Sequence, residues 1–508
     1  MKQMIKKSFF LAVLVLGVNQ LFAQTANAPF HYETVNVNFG TQNGMNIDEL
    51  DASGALLPEI QPSPARTIAF PVSSYLVLQE NVSTTDHAPW MQLVFGDVNL
   101  GENSYLVITS DFDQDKQFFN NQSIEEWMYH SAFFKGESVT IQLYVAPGDE
   151  NVVVEVDQVI AGEYVDGIAM PLSLCGADNR VASGFPNIDG RLMPLGCTGW
   201  ISGAGFYITA GHCLDVTSPN LQIMEFDVPA SLSNGTTQPA AVEDQYPVTY
   251  SSRVFQNVQI GDDWGIYNCG TNSNTGLTPA QARRTYLHLS KDVAPPTMRV
   301  RGFGTDETPP GSSGFRNAQS QTLQYHDGPS LGENVVSATR VIWEYQVDTE
   351  GGNSGSAIHG AGTPDFFTAV GIHTNAGCSA TDGNTGTGFE ADDTEAAMNV
   401  FYQSEVEYVD VDHHLSSITG TSCLPHQSLQ TALNQANAGH GPGLAALELV
   451  QVAGSNNGAG GIYQQAISYS GATNGVVIRR SVGAVKIGPN AVAATSGNGT
   501  EDVEIEIQ

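Results

Sequence analysis

Phe206-Tyr-Ile-Thr-Ala-Gly-His-Cys213 is the stretch from which the fold of this 508-residue chain is best inferred. Its apolar residues are typical of a buried strand, and the strand ends at a histidine, a residue type that often serves as a general base. Cys197 precedes Cys213 with strand-like sequence between them, so a disulfide there would close a hairpin and hold His212 rigidly. The alternative is a surface histidine that caps a turn.

A second stretch supplies a candidate nucleophile. Gly351-Gly-Asn-Ser-Gly-Ser356 is a Gly-rich turn around Ser354. Such a turn allows the N–H groups of Gly352 and Ser354 to converge on one point, where they would stabilise an oxyanion. Taken alone, the same letters are also compatible with an ordinary turn.

A third stretch supplies an acid that could orient the histidine. In Asp262-Asp-Trp-Gly-Ile-Tyr267, Asp263 leads into an apolar strand, where a carboxylate is poorly solvated and needs a partner such as an imidazole N–H. Asp262 is the neighbouring rival, and a charged turn before a strand is the alternative. The three stretches together predict a catalytic triad of His212, Asp263 and Ser354.

The composition favours an all-β, exported protein. Charged residues are only 14% of the chain and Gly is frequent, with 53 residues, as in loop-rich β proteins. Residues 1–23 combine Lys2, Lys6 and Lys7 with a short apolar run, which predicts a signal peptide and a secreted or cell-surface location, with a membrane anchor as the alternative. A net charge of −34 argues against nucleic-acid partners, and no later segment is apolar enough to span a membrane. The oligomeric state is not indicated.

Three sequence blocks resemble the signatures of the chymotrypsin/trypsin superfamily and occur in that family's order: Thr209-Ala-Gly-His-Cys213, Asp263-Trp-Gly-Ile266 and Gly352-Asn-Ser-Gly-Ser356. In addition, Val300-Arg-Gly-Phe-Gly-Thr305 resembles the family's Gly-aromatic-Gly strand. The resemblance covers about 171–416. It implies a chymotrypsin-like double β-barrel and a serine endopeptidase that acts on proteins or peptides through an acyl-enzyme, with no cofactor and no metal.

Around this segment the sequence predicts two further β-rich parts. Residues 24–170 are expected to form a β-sandwich or pro-region, because runs such as Ser138 to Val145 alternate cleanly between apolar and polar residues. Residues 417–508 are expected to form a small module rich in Gly, Ala and Ser. Within the sandwich, a run of alternating aspartates is interpreted as a solvated acidic turn, since the Gly and Glu of a calcium loop are missing from it: Asp111, Asp113 and Asp115.

The resemblance leaves the specificity pocket open between two interpretations. Asp348 stands six residues before Ser354, where trypsin-like enzymes place an acid that binds Arg or Lys of the substrate. By contrast, Gly371-Ile-His-Thr-Asn375 resembles the strand where bacterial glutamyl endopeptidases use a histidine to bind Glu, which would make His373 and Thr349 pocket residues. The glutamyl pattern is favoured, and the alternative is that Asp348 caps a loop and His373 is simply packed.

The resemblance also bears on activation and on the cysteines. Asn353 stands where trypsin-like zymogens carry an acid that pairs with a new N-terminus, which implies that this salt bridge does not switch the protein on. Similarity to lysyl endopeptidases implies that Cys175 pairs with Cys378, which leaves Cys269 and Cys423.

Two other functions compete with the peptidase. One is a non-catalytic binding or adhesion protein with a vestigial peptidase-like domain. The other is an α/β-hydrolase esterase, which is disfavoured because Ser356 occupies the last Gly position of its Gly-x-Ser-x-Gly elbow, and because its Asp and His should follow the serine.

Overall fold

The computed structural model describes residues 26–44, 74–165, 173–183, 188–202, 206–215, 222–283, 285–290, 294–308, 315–362, 368–379 and 381–400, together with strand segments 406–409, 448–453, 461–463, 476–482 and 485–487. The predicted signal peptide, Cys423 and residues 503–507, whose alternating apolar and polar residues predict a strand, lie outside these residues. Among the described residues, no helix is long and apolar enough to cross a membrane.

Residues 30–44 and 74–162, here called the sandwich, form two antiparallel sheets around an apolar core. The sheet orders are β1-β8-β3-β6 and β2-β7-β4-β5. The elements are β1 (Phe30–Asn38), β2 (Tyr75–Ser83), β3 (Trp90–Asn99), β4 (Tyr105–Ser110), β5 (Lys116–Phe119), α1 (Asn121–Glu126), β6 (Phe134–Lys135), β7 (Ser138–Val145) and β8 (Val153–Gly162). In β7 every second residue is buried, which confirms the strand and the inward face predicted from its alternation.

A second sheet forms the first barrel of the following segment. Its order is β14-β13-β10-β11-β12-β16-β15, and a bridge between Val248 and Cys269 joins the ends of β14 and β16, which closes the ring. The elements are β9 (Val181–Ala182), β10 (Asp189–Met193), β11 (Cys197–Ile201), β12 (Tyr207–Thr209), α2 (Gly211–Leu214), β13 (Ile223–Glu225), β14 (Gln245–Pro247), β15 (Val254–Gln259) and β16 (Asp262–Tyr267), with single 3₁₀ turns at Val242–Asp244 and Tyr250–Ser252.

The next strands form a second barrel. The path β24-β23-β18-β21-β22-β25 closes because β25 also pairs with β24, while β9 pairs with β21. The elements are α3 (Pro279–Arg283), β17 (His288–Leu289), β18 (Thr297–Gly302), β19 (Glu307–Thr308), β20 (Phe315–Arg316), β21 (Gln324–Ser337), β22 (Arg340–Tyr345), β23 (Ala357–Gly360), β24 (Thr368–Asn375), β25 (Asn384–Gly388) and α4 (Asp392–Val400). The all-β double barrel expected from the sequence is therefore present.

The C-terminal part contains parallel strands. β26 pairs with β27 and β27 with β29, while β28 pairs with β30. The elements are β26 (Val406–Val409), β27 (Glu448–Ala453), β28 (Gly461–Tyr463), β29 (Val476–Val482) and β30 (Val485–Ile487). Strand β26 of this sheet lies before residue 417, where the C-terminal module is predicted to begin.

The aspartates of the alternating run bind different parts of the protein. Asp111 accepts hydrogen bonds from Ser138, Thr140 and Asn81, and Asp113 pairs with Lys135 at 3.2 Å. Asp115 accepts the Val242 N–H of the first barrel at 2.7 Å. Since these carboxylates are bound to protein donors, the run forms turn and interdomain contacts, in keeping with the predicted acidic turn.

Candidate active site

His212 and Asp263 meet between two neighbouring strand ends of the first barrel. His212 lies on α2, directly after β12, and Asp263 lies at the start of β16, which pairs with β12. The Nδ1 atom of His212 lies 2.6 Å from Oδ2 of Asp263, and the other carboxylate oxygen accepts the backbone N–H of His212 at 3.0 Å. Asp263 therefore fixes both the ring and the backbone of His212, and this arrangement places a proton on Nδ1 and a lone pair on Nε2.

The two side chains are largely shielded from water, with 7% of His212 and 6% of Asp263 exposed. The second barrel supports the acid, because the Thr387 hydroxyl donates to the carbonyl of Asp263 at 2.9 Å and accepts its N–H at 3.1 Å. Asp262 has no contact with the imidazole among the described residues. Of the two adjacent acids, Asp263 is thus the one that faces His212.

The Cys197–Cys213 disulfide contacts both the Ser354 turn and the neighbourhood of His212. Cys197 and Cys213 are bonded, as predicted, and the sulfur of Cys213 lies 3.8 Å from the Ser354 carbonyl oxygen. That carbonyl also accepts the Thr198 N–H at 2.8 Å. A ring nitrogen of His212 lies within 4.8 Å of both sulfurs, so the hairpin that carries the histidine is tied directly to the turn that carries the serine.

The serine hydroxyl and the imidazole are not hydrogen-bonded to each other in this structure. Oγ of Ser354 donates to the carbonyl of Thr374 at 3.4 Å. Within the described residues, Nε2 of His212 is buried and has no hydrogen-bond partner. A buried ring nitrogen without a partner is costly, which is typical of a group held ready for a reacting molecule.

Hydrogen bonds to two carbonyls of the turn before Ser354 fix the orientation of its Gly352 and Ser354 N–H groups. The Gly351 carbonyl accepts the Thr305 N–H at 2.7 Å, and the Asn353 carbonyl accepts the Ser356 N–H at 2.9 Å. In a trans peptide the N–H lies opposite the carbonyl, so the amides of Gly352 and Ser354 point away from these partners. Gly352 has φ +104°, and a Cβ there would overlap the carbonyl oxygen of Phe303, so the position requires glycine.

The structure does not place Asp348 where it could bind a substrate. Its side chain is buried, and its two oxygens accept the N–H groups of Cys175 at 2.7 Å and Asn179 at 3.0 Å. His326 lies 3.4 Å from the same carboxylate. The trypsin-like interpretation of Asp348 is therefore corrected: because backbone donors already occupy this carboxylate, it caps a loop, which is the alternative weighed from the sequence.

Thr349 and His373 are also buried and bonded within the protein. Thr349 Oγ1 accepts from the amide of Asn384 at 2.9 Å and lies 3.0 Å from the hydroxyl of Ser173. Nδ1 of His373 lies 2.6 Å from the Tyr345 hydroxyl. Burial lowers the pKa of His373 to about 3, and the nearby His212 acts in the same direction. His373 is therefore a neutral imidazole at physiological pH.

A recess of about 510 Å³ lies beside the turn that leads into β16. It is bordered by the β21–β22 hairpin, by Ile260 and by the chain at 377–385. Glu333, Glu344 and Asp382 line it together with Arg340.

The second disulfide joins Cys175 to Cys378, the pairing implied by similarity to lysyl endopeptidases. Cys269 is buried and not disulfide-bonded. Cys197, His212 and Cys213 lie close enough to suggest a metal site, but the two sulfurs share a disulfide and offer no thiolate ligand.

The sequence analysis did not identify three residues whose hydrogen bonds and ion pairs hold the serine turn: Arg180, Thr305 and Glu350. The amino-acid composition contained one indication of this cluster. The chain has 19 basic against 53 acidic residues, so an acid placed inside the glycine-rich turn, at Glu350, has to find one of few cations if it is buried.

The central segment of the chain matches a known protein family. Residues 185–391 match the model of the family described as Trypsin. A solved structure, a mutant of human heparin binding protein, aligns with a TM-score of 0.33 and 14% identity over 45% of this chain and 97% of that one. No curated protein matches the chain. Residues 185–391 thus form a domain of the trypsin-like serine peptidase superfamily.

Proposed function

We propose that the chain is a secreted serine endopeptidase that uses His212, Asp263 and Ser354. Rotation of the Ser354 side chain about its Cα–Cβ bond would bring Oγ to the unpaired Nε2 of His212. Oγ then attacks the scissile carbonyl while Nε2 takes the hydroxyl proton, which Nε2 next gives to the leaving amine as the C–N bond breaks. Water enters by the reverse proton path and releases the acyl group. Asp263 stabilises the imidazolium throughout.

The amides of Gly352 and Ser354 are the proposed oxyanion donors. Each lies opposite a carbonyl that is hydrogen-bonded within the protein, and we expect neither to reorganise when negative charge develops on the substrate oxygen. Losing one such donor typically costs about 2.7–4 kcal/mol in the transition state.

One observation carries the proposal: both oxygens of Asp263 hold His212, at 2.6 and 3.0 Å, while Nε2 is left buried and unpaired beside the Ser354 turn. We expect a fluorophosphonate probe to label Ser354 in the secreted, folded protein, as read by intact mass and peptide mapping. Ser354→Ala is the control and should not react. If the folded wild-type protein does not react, the domain is a non-catalytic binding module, and function should be sought in the flanking β parts.

The proposed specificity is cleavage after Glu rather than after Lys or Arg. Asp348 is bound by backbone N–H groups, which removes the argument for a Lys- or Arg-binding acid there. The preference for Glu therefore rests on the resemblance of the His373 strand to glutamyl endopeptidases, although His373 and Thr349 are themselves buried and bonded within the protein. We expect Asp348→Asn to leave the preferred residue before the cleaved bond unchanged in a peptide-library digest, and to lower the melting temperature because the loop at 175–179 loses its cap. A trypsin-like pocket would instead lose cleavage after Lys and Arg by orders of magnitude. His373→Leu is the matched change that should reduce cleavage after Glu.

A further inference from the structure

A buried ion cluster lies directly beneath the turn that carries the proposed nucleophile. Arg180 is 2% exposed, and its guanidinium lies 2.6 Å from Asp178 and 3.5 Å from Glu350, which is also 2% exposed. Glu350 is part of the serine turn itself: its N–H donates to the side-chain oxygen of Asn353, and its carbonyl accepts the Asn353 N–H, each at 3.0 Å. The cluster is therefore continuous with the backbone around Gly352.

Thr305 connects the Arg180 and Glu350 side chains to the Gly351–Gly352 peptide, whose N–H is a proposed oxyanion donor. Its carbonyl accepts Nη1 of Arg180 at 2.7 Å, and its hydroxyl donates to Glu350 at 3.0 Å. Its N–H donates to the Gly351 carbonyl at 2.7 Å. Arg180 and Glu350 thus fix Thr305 from two sides, and Thr305 in turn fixes the orientation of the Gly351–Gly352 peptide, and with it the direction of the Gly352 N–H.

The arginine comes from a segment that is anchored at several points and precedes the first barrel. Cys175 is disulfide-bonded to Cys378, and Asp348 accepts the N–H groups of Cys175 and Asn179. Just beyond Arg180, β9 pairs with β21. The segment 173–183 is therefore held in place by the second barrel, while its chain continues N-terminally toward the sandwich without a free amino group at this point.

We propose that Arg180, acting through Thr305 and Glu350, is a positioning residue that locks the Gly351–Gly352 peptide, so that the oxyanion site is formed in the uncleaved chain. The proposal rests on the proposed function for its catalytic meaning. It implies that the enzyme is active with the sandwich still covalently attached, and that an internal guanidinium takes the place of a newly freed N-terminus.

The surrounding charges make the cluster sensitive to loss of the arginine. Burial raises the pKa of Glu350 to about 7, while Arg180 and the Thr305 hydroxyl act in the opposite direction and Glu307 and Asp178 raise it further. The other groups that act on the cluster include Asp306, which acts on Arg180, Arg316, which acts on Glu350, and His326, which acts on Asp178. Without Arg180, Glu350 would take up a proton, and its carboxylate would no longer hold Thr305.

The test compares Arg180→Met with the double variant Arg180→Met/Glu350→Gln in the full-length, uncut chain, with integrity verified by intact mass. We expect the second-order rate of fluorophosphonate labelling at Ser354 to fall by about 10- to 100-fold in both, consistent with impairment of one oxyanion donor. The double variant should recover part of the melting temperature, because the buried charge at position 350 is removed together with its partner and only Asp178 loses an ion pair, but it should not recover the labelling rate. Arg180→Lys should restore the rate only in part, since a single ammonium cannot keep the forked contacts.

A second buried pair in the first barrel provides the matched control. Arg191 and Glu225 are fully buried and lie 2.6 Å apart, but they do not contact the serine turn. Arg191→Met/Glu225→Gln should change the melting temperature and leave the labelling rate of the folded protein within about twofold. Wild-type labelling rates in Arg180→Met, at temperatures where it is folded, would overturn the proposal.

Crystal structures separate this proposal from the proposed function. In Arg180→Met we expect the Gly351 carbonyl to leave the Thr305 N–H and the Gly352 amide to turn inward. If wild-type protein does not label but this peptide still turns in the variant, the peptidase assignment fails and the positioning role stands. If wild-type protein labels and the peptide keeps its orientation in the variant, the positioning role fails alone.

Discussion

Replacing Ser354 with alanine is expected to lower kcat by about 10⁶-fold, which corresponds to about 8 kcal/mol of lost transition-state stabilisation. The reason is that the acyl-enzyme cannot form without Oγ. Proton transfer to His212 and stabilisation of the oxyanion then have no attack to assist. His212→Ala should lose a similar factor, and the double variant should be no worse than either single one, because the two groups work as one unit. Peptide hydrolysis by active enzyme and by each variant, with KM measured separately, tests this.

The two adjacent aspartates provide a control for this prediction. Asp263→Asn should lower kcat by about 10⁴-fold, since an amide cannot hold the imidazole in the required tautomer. Asp262→Asn should have a small effect, because the Asp262 side chain makes no contact with His212 among the described residues. Additive losses for Ser354→Ala and His212→Ala, or equal losses at the two aspartates, would contradict a shared proton-transfer unit.

Much of the barrel and of the candidate site was predictable because local sequence and chemistry coincide there. A glycine turn with positive φ, a histidine at a strand end and an acid entering an apolar strand each require particular residue types, so the letters around His212, Asp263 and Gly352 carry the information. The Cys197–Cys213 disulfide follows from the hairpin between the cysteines. Strand β7 was predictable from its alternation alone.

The remainder depends on contacts between residues far apart in sequence, which no local pattern encodes. Asp348 looked like a substrate-binding acid, yet it accepts N–H groups from residues 175 and 179, on the segment before the first barrel. Arg180 meets Thr305 and Glu350 because the Cys175–Cys378 disulfide and the pairing of β9 with β21 hold its segment against the second barrel. Sequence motifs indicate which residue types a site contains. The hydrogen-bond partner of each polar side chain, however, is determined by the tertiary fold.

Many buried contacts join the sandwich to the first barrel. They bear on whether the sandwich is removed by proteolysis as a pro-region. Its apolar core includes Met193, Ile223 and Val242 of the barrel. Gln245 donates to the Phe133 carbonyl and accepts its N–H, both at 2.8 Å. Further hydrogen bonds cross between the two parts: Trp127 to Thr271, Gln117 to Ser273, Phe118 to Asn274 and Asn274 to Lys116.

The start of the described chain adds a second attachment. Ala26 and Ala28 are buried, and their N–H groups donate to the carbonyls of Gly196 and Pro194 at 3.2 and 3.0 Å. These contacts lie on β10 and the turn after it, on β13, on the chain at 242–247 and on the chain at 270–275, whereas His212, Asp263 and Ser354 lie at α2, at β16 and before β23. We therefore infer that the sandwich is a permanent structural partner of the barrel and that it packs against elements other than those that carry the catalytic residues.

Cutting the chain between the two parts is expected to leave them associated, with a Kd below about 10 nM. A recognition sequence for a specific protease replaces residues 167–171 in a Ser354→Ala background, and the cut protein is followed by size-exclusion chromatography during dilution. Gln245→Ala should weaken the complex by about 10- to 100-fold, because it leaves the N–H and carbonyl of Phe133 buried without partners. Gln79→Ala is the control, since Gln79 lies on the exposed face of β2 and bonds only to Gln142 among the contacts described for it. Separation of the wild-type fragments at micromolar concentration would instead identify residues 24–170 as a removable pro-region.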